Sequence, residues 1–90
     1  MDKATIDRFI TESKNWKYQN KALEKEFVFK DFYEAIKFVN KVAEIAELRQ
    51  HHPDIKILYN KVCLSTYSHE TGEISDSDFE LVTALDLIKV

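Results

Sequence analysis

The chain is poor in the residues that break or cross-link a fold, since its 90 residues include one glycine, one proline and one cysteine. So little glycine and proline excludes collagen-like sequence and argues against long linkers or disorder. The single cysteine, Cys63, cannot form an internal disulfide. Because chains without disulfides suit a reducing compartment, we expect a cytoplasmic protein.

An excess of positive charge and long apolar runs are also missing. The net charge is −3, which leaves no basic surface of the kind that nucleic acid requires, so we expect no nucleic-acid partner. The N-terminal sequence Met1-Asp2-Lys3 is not followed by the apolar segment of a signal peptide, and no run is long enough to cross a bilayer. We therefore expect no membrane association.

Apolar residues are present in sufficient number for one core. They make up 44% of the chain, with six Phe, four Tyr and one Trp. At this length a second independent core is not available, so residues 1–90 are predicted to form a single domain. A domain of this size buries only about 60–65% of its unfolded surface, and assembly into oligomers would add to its stability.

Hydrophobic spacing predicts three helices and four strands in the order α-β-β-α-β-β-α. Helices are predicted at residues 4–13, from 31 to about 50, and from the capping-box-like segment 75–78 onward; strands are predicted at 16–20, 22–30, 54–59 and 61–68. Strands at hairpin spacing favour antiparallel pairing. The fold class expected is therefore α+β, a four-stranded antiparallel sheet with three helices on one face.

The apolar pattern of the middle helix and of the last two strands predicts self-association. The helix stripe is expected to comprise Phe32, Ala35, Ile36, Val39, Val42, Ala43 and Ala46, with Phe38 and Ile45 on its flank. The strands are expected to place Leu58, Val62 and Leu64 on one face, and Ile55, Ile57, Tyr59 and Tyr67 on the other. Because the helices cover only one face, we expect a second copy to cover the other, giving a homodimer or homotetramer.

Two adjacent histidines, His51 and His52, stand where the middle helix is predicted to end, and His69 is the only other histidine in the chain. Imidazole exchanges protons near neutral pH, since its unperturbed pKa is about 6.5. If the fold brings the three together, they form a proton-transfer site. Glu47, one helical turn before His51, could hydrogen-bond an imidazole, and Asp78 could approach His69 across one turn.

The residues alone leave other interpretations open. Imidazolium groups at a helix C-terminus are favoured by the helix dipole, and this is a sufficient reason for His51 and His52. Asp78 has a sufficient structural role as a helix cap. A metal site is disfavoured, because adjacent histidines rarely share one ion and neither cysteine nor an HxxxH spacing supports zinc.

The motif pattern resembles the pterin-4a-carbinolamine dehydratase family. The resemblance is carried by Glu47, His51-His52-Pro53-Asp54, Tyr59-Asn60-Lys61-Val62, Ser68-His69-Glu70, Ile74-Ser75 and Asp78, and it extends back through Trp16 and residues 27–32. It covers roughly residues 16–86. Two positions depart from the family pattern: Ser68 stands where threonine is usual, and Gly72 stands one position early.

The resemblance implies dehydration of 4a-hydroxytetrahydrobiopterin to quinonoid dihydropterin, without a metal or other cofactor. It implies that His51, His52 and His69 are catalytic. His51 and His69 would act as acid and base, and His52 would mainly hold the substrate. Glu47 and Asp78 would orient the imidazoles. Two alternatives remain: a protein-binding module that stabilises a partner's dimer, and a dehydratase that acts in molybdopterin metabolism.

Overall fold

A computed structural model describes residues 2–89 of the chain. Within them three helices and four strands follow one another in the predicted order, and the α+β prediction is confirmed. The elements are α1 (Lys3–Glu12), β1 (Lys17–Gln19), β2 (Ala22–Val28), α2 (Phe32–Arg49), β3 (Asp54–Leu58), β4 (Lys61–Thr66) and α3 (Asp76–Leu85). None of the helices in this part of the chain is both long and apolar enough to cross a membrane.

The four strands form one antiparallel sheet in the order β1-β2-β4-β3. Asn20 and Lys21 close the first hairpin with left-handed φ values of 54° and 60°, a turn whose twist matches that of the flanking strands. The β3–β4 hairpin turns at Tyr59, whose φ is 53°, one residue earlier than predicted. In this strand order β4 lies between β2 and β3, in the interior of the sheet, and the chain continues from it to His69.

The middle helix begins and ends at residues that the sequence predicts. Asp31 caps α2, because its carboxylate accepts a hydrogen bond from the backbone N–H of Glu34 at 2.9 Å. Gln50 ends α2 in the left-handed conformation, with φ 52°. Beyond it the backbone N–H of His51 still bonds to Ala46 at 3.1 Å. The chain thus turns sharply where the paired histidines leave the helix.

The helices pack on one face of the sheet and enclose the core. The buried residues of this core are Ile6, Trp16, Leu23, Ala35, Phe38, Val42, Val62, Leu64, Ile74, Leu81, Val82 and Leu85. We expected Phe32 in the buried stripe of α2 and Phe38 on its flank, and this prediction was wrong. Phe38 is only 3% exposed, whereas Phe32 is 51% exposed. The ring of Phe38 lies 4.6 Å from that of Phe27 and 5.0 Å from that of Phe29. With these aromatic contacts, the buried side of α2 is the side that carries Phe38.

The prediction of two apolar sheet faces is also wrong. Ile55 pairs with Leu64 and Ile57 with Val62, and direct cross-strand partners point to the same side of a sheet. Both isoleucines therefore share the helix-covered face, and Leu58, the partner of Lys61, lies on the open one. By the same register the open face is mainly polar, with Lys17, Gln19, Glu24, Glu26, Asp54, Lys56, Lys61, Cys63 and Ser65.

Candidate active site

A buried carboxylate, that of Asp78, lies at the centre of the site. Asp78 is the third residue of α3 and forms a capping box with Ser75, so that its Oδ2 accepts the backbone N–H of Ser75 at 2.9 Å. The hydroxyl of Ser68 donates to the same oxygen at 3.0 Å, and the hydroxyl of Thr66 donates to Oδ1 at 2.6 Å. The helix cap and the end of β4 together fix this carboxylate, which has no exposed surface.

The hydrogen bonds keep Asp78 ionised despite its burial. Burial alone would raise the pKa of the carboxyl group, but the hydrogen bonds from Thr66, His51, Ser75 and Ser68 outweigh it, and the pKa lies below its ordinary value. A buried anion that is fully hydrogen-bonded is a fixed local charge, available to act on a neighbouring imidazole.

His51 is the imidazole that faces this charge. Its Nε2 lies 2.6 Å from Oδ1 of Asp78, and 17% of the His51 side chain is exposed. Because an ionised carboxylate can only accept hydrogen bonds, Nε2 must carry a proton, and neutral His51 keeps its lone pair on Nδ1. Asp78 thus selects the tautomer in which Nδ1 can accept a proton from a ligand.

His52 forms a second pair, with Glu47. Its Nε2 lies 2.5 Å from Oε2 of Glu47, and the two side chains are 54% and 73% exposed. Solvent screens an exposed pair of this kind, so it orients the ring less firmly than the buried pair does. The site therefore holds one buried and one exposed histidine–carboxylate pair.

All three histidines line one cleft of about 550 Å³. Its lining residues are Gln50, His51, His52, Ser68, His69, Glu70, Thr71, Ser75 and Ser77. His69 lies just beyond β4, with its ring 4.5 Å from that of Tyr67. The structure thus places His51, His52 and His69 on the same cleft. In this arrangement several imidazoles can exchange protons with a single ligand.

The pairing of carboxylates with histidines differs in part from the sequence prediction. We expected Glu47 to bond an imidazole without assigning which one, and the structure pairs it with His52; Asp78, expected to approach His69, contacts His51. The left-handed conformation of Gln50 is the physical reason. It takes His51 out of the helical register of α2 and directs it toward Asp78 of α3. One-turn helical spacing therefore stops being a guide at this residue.

The capping-box-like segment links Ser75 with Asp78 in the sequence, but Thr66 and Ser68 were not predicted as partners of Asp78. Thr66, Ser68 and Ser75 each donate to its carboxylate. A signal was present for Thr66, because it follows Val62 and Leu64 on the inward side of β4, where a polar residue requires a buried partner.

The described residues, 2–89, contain no group of three His, Cys, Asp or Glu side chains placed to hold a metal ion.

The lowered pKa of Asp78 predicts a loss of stability in acid. Its folded pKa lies below the unfolded value, about 3.9, so the ionised carboxylate stabilises the fold above that value. This contribution is lost as the pH falls through the folded pKa. We expect the free energy of unfolding, measured by urea denaturation, to fall more steeply below about pH 4 in the wild type than in Asp78→Asn. Parallel curves for the two proteins would contradict this assignment.

The described part of the chain is therefore an α+β domain with a cleft lined by three histidines, two of which pair with carboxylates. Residues 1–88 match the family model for pterin 4 alpha carbinolamine dehydratase. A protein of Sulfolobus acidocaldarius is 39% identical over 99% of this chain and 98% of its own length. One of Thermomicrobium roseum is 47% identical over 94% of this chain and 91% of its own length. Both carry the name "Putative pterin-4-alpha-carbinolamine dehydratase". The chain belongs to the pterin-4a-carbinolamine dehydratase family.

Two solved structures share the fold. A transcriptional coactivator/pterin dehydratase from Brucella melitensis superposes with a TM-score of 0.90 at 23% identity, covering 96% of this chain and 94% of its own. A pterin dehydratase-like protein described as a RuBisCO assembly factor in the alpha-carboxysome has a TM-score of 0.65 at 17% identity, covering 83% and 87% of the two chains. At these identities the likeness establishes the fold alone.

Proposed function

We propose that this protein removes water from a 4a-hydroxytetrahydropterin, with 4a-hydroxytetrahydrobiopterin as the expected substrate, to give the quinonoid dihydropterin used in tetrahydropterin recycling. The observation that carries this proposal is the convergence of all three histidines on one cleft, two of them held by carboxylates. Membership of the family supplies the substrate class. We propose further that residues 1–90 act as one domain, in the cytoplasm.

The reaction is an elimination. A ring nitrogen supplies the electron pair that forms the new C=N bond, the C4a–O bond breaks, and a nitrogen-bound proton is lost. Hydroxide is a poor leaving group, so a protonated imidazole donates a proton to the oxygen and water departs. A second imidazole in the neutral form accepts the proton from nitrogen. No electrons leave the substrate overall, so the reaction requires no redox cofactor.

The geometry favours His51 as the proton acceptor. Asp78 fixes a proton on Nε2, which leaves Nδ1 as the basic nitrogen. His69, which lines the same cleft from the end of β4, is the proposed proton donor to the departing hydroxyl. His52, with its ring oriented by Glu47, is assigned to holding the substrate. Each positioned acid or base contributes about 10²–10⁴-fold, enough for a carbinolamine that also dehydrates unaided.

The proposal is tested by adding the purified protein to freshly generated 4a-hydroxytetrahydropterin and following quinonoid dihydropterin by ultraviolet absorbance. We expect acceleration that is proportional to protein concentration. A folded protein that gives no acceleration would favour a different function, a protein-binding module.

That second candidate is favoured by the exposed apolar surface of α2. Phe32 and Tyr33 at the N-terminal end of α2 are 51% and 70% exposed, and Leu48 at its C-terminal end is 85% exposed. The proposed module would stabilise a partner's dimer through this helical surface. Retention of all three histidines favours the enzyme. A dehydratase in molybdopterin metabolism would use the same cleft with a different pterin.

We also propose that the protein forms a homodimer or homotetramer. This proposal of self-association is supported by the edge strand β3. The strand is exposed along its whole length, and its Ile55 and Ile57 are 38% and 37% exposed. An exposed edge with apolar residues is a template for strand pairing with a second copy. Light scattering behind size-exclusion chromatography at micromolar concentration should give a mass of two or four chains. A mass near 10.6 kDa would contradict this proposal.

A further inference from the structure

The hydroxyl group of Thr66 bonds to the same carboxylate oxygen as His51. Thr66 ends β4 with only 1% of its surface exposed, and its hydroxyl donates to Oδ1 of Asp78 at 2.6 Å. Nε2 of His51 lies 2.6 Å from that oxygen. The hydroxyl of Ser68 and the backbone N–H and hydroxyl of Ser75 all donate to Oδ2 instead. Within residues 2–89, Thr66 is therefore the one group that shares an acceptor atom with the imidazole.

A hydrogen bond from Thr66 stabilises Asp78 more when His51 is neutral than when His51 is protonated. Beside a neutral imidazole the carboxylate keeps its full charge, and hydrogen bonds to an ionised acceptor are about twice as strong as those between neutral groups. Beside an imidazolium, the carboxylate charge is already balanced by an ion pair, so the same donor adds less. The hydroxyl therefore favours the neutral form of His51 over the protonated form.

The surroundings of Thr66 leave its hydroxyl committed to Asp78. Burial raises the pKa of Asp78, and the hydrogen bond from Thr66 is the largest of the opposing effects that bring the pKa below its ordinary value. Thr66 pairs with the buried Leu23 across the sheet, and it follows Val62 and Leu64 on the inward face of β4. The bond to Asp78 is thus enclosed by apolar side chains and does not exchange with water.

We propose that Thr66 is a positioning residue that acts through Asp78 to keep His51 neutral, and so available as a base, at the pH of the reaction. This inference rests on the proposed function, in which Nδ1 of His51 accepts the proton from the pterin nitrogen. Thr66 lines neither of the two clefts that His51 lines, so it acts without touching the substrate. Without the hydroxyl, Asp78 would hold His51 as imidazolium up to a higher pH.

The other charged and titratable groups around His51 are exposed. Those that share a cleft with it are Arg49 from the end of α2, Glu80 from α3, and His52, His69 and Glu70. The exposed Glu47 pairs with His52. Solvent screens charges at such positions, and a substitution at residue 66 alters none of them. A comparison of variants at this residue therefore isolates the buried hydrogen bond.

The test is the titration of His51, followed by NMR of protein with isotope-labelled histidine, in which the His51 signals are those missing from His51→Ala. In Thr66→Val, which replaces the hydroxyl by a methyl group, we expect the midpoint of this titration to move to higher pH. Thr66→Ala removes the same hydroxyl and should show the same direction, which decides the question if the valine variant does not fold. Thr66→Ser keeps the hydroxyl and should keep the wild-type midpoint.

The matched control is Ser65→Ala. Ser65 precedes Thr66 on β4, but its hydroxyl donates to Glu24 on the open face of the sheet at 3.2 Å, so the His51 midpoint should stay as in wild type. Because no substrate is present, the titration is independent of whether the protein dehydrates carbinolamines. An absent shift with an active enzyme would refute the role of Thr66 alone, and a shift in an inactive protein would refute the proposed function alone.

Turnover supplies a second readout. Thr66→Val should lower kcat about 3–10-fold at about pH 6, with little change in KM, and should recover by about pH 8, where an imidazole of ordinary pKa is neutral. The proposal is overturned by a midpoint that is unchanged or lowered in Thr66→Val and Thr66→Ala, by a shift in Thr66→Ser as large as that in Thr66→Val, or by a kcat loss that is equal at the two pH values.

Discussion

The His51→Ala and His69→Ala variants are each expected to lower turnover by about 10²–10⁴-fold, the loss typical of a positioned acid or base. His51 lies against the buried carboxylate of Asp78, and His69 lines the same cleft beyond β4. In His51→Ala the hydrogen bonds from Thr66, Ser68 and Ser75 still hold Asp78, so the fold should survive. Single-turnover kinetics would measure the chemical step, and circular dichroism would confirm that each variant is folded.

His52→Ala is the matched control, because this histidine lies next to His51 in sequence and in the same cleft. Its ring is exposed and paired with Glu47, and we assign it to holding the substrate. More of its damage should therefore appear in KM than in kcat. Near-normal turnover of both His51→Ala and His69→Ala would refute the acid–base assignment, even if the protein acts on the expected substrate.

The Asp78→Asn variant is expected to lose turnover by about 10²–10⁴-fold through the wrong tautomer of His51. The backbone N–H of Ser75 and the hydroxyl of Ser68 both donate to Oδ2, so the amide oxygen of asparagine must occupy that position. The amide nitrogen then faces Nε2 of His51 and donates to it. His51 must carry its proton on Nδ1, which removes the basic nitrogen from the cleft.

The same substitution should cost about 1–3 kcal/mol of folding free energy at neutral pH, because charge-assisted hydrogen bonds are replaced by neutral ones. Glu47→Gln makes the equivalent change beside His52, and should cost much less in both turnover and stability because that pair is exposed. Equal losses of activity in the two variants would contradict the special role of the buried pair. So would an active Asp78→Asn with a raised KM alone.

The fold could be predicted where short-range rules apply. Asp31 is the N-cap of α2 and Gln50 is its C-cap. The α-β-β-α-β-β-α order follows from the helical and alternating spacing of the apolar residues. The buried stripe of α2 could not be placed, because it depends on the aromatic rings of β2 that meet Phe38. The faces of β3 depend on the register set by the turn at Tyr59, and a shift of one residue reverses them.

The sequence indicated the candidate residues, but it did not assign Glu47 to one histidine and it placed Asp78 beside His69 instead of His51. The histidine doublet and His69 stand out by residue type, and motif spacing connects them with Glu47 and Asp78. Which carboxylate reaches which imidazole is decided by the left-handed residue Gln50 and by the approach of α3 to β4, both properties of tertiary structure. Thr66 was missed although it alternates with Val62 and Leu64, because this pattern identifies a buried polar residue but not its partner on α3.

The histidines of one cleft are proposed to dehydrate a 4a-hydroxytetrahydropterin. The most direct measurement is the initial rate of quinonoid dihydropterin formation with wild type, with the double variant His51→Ala/His69→Ala, and with buffer alone, at matched concentrations of folded protein. We predict that the wild type exceeds the buffer rate in proportion to its concentration and that the double variant falls back to the buffer rate. A wild-type rate equal to that of buffer, or a double variant as fast as wild type, would contradict the account.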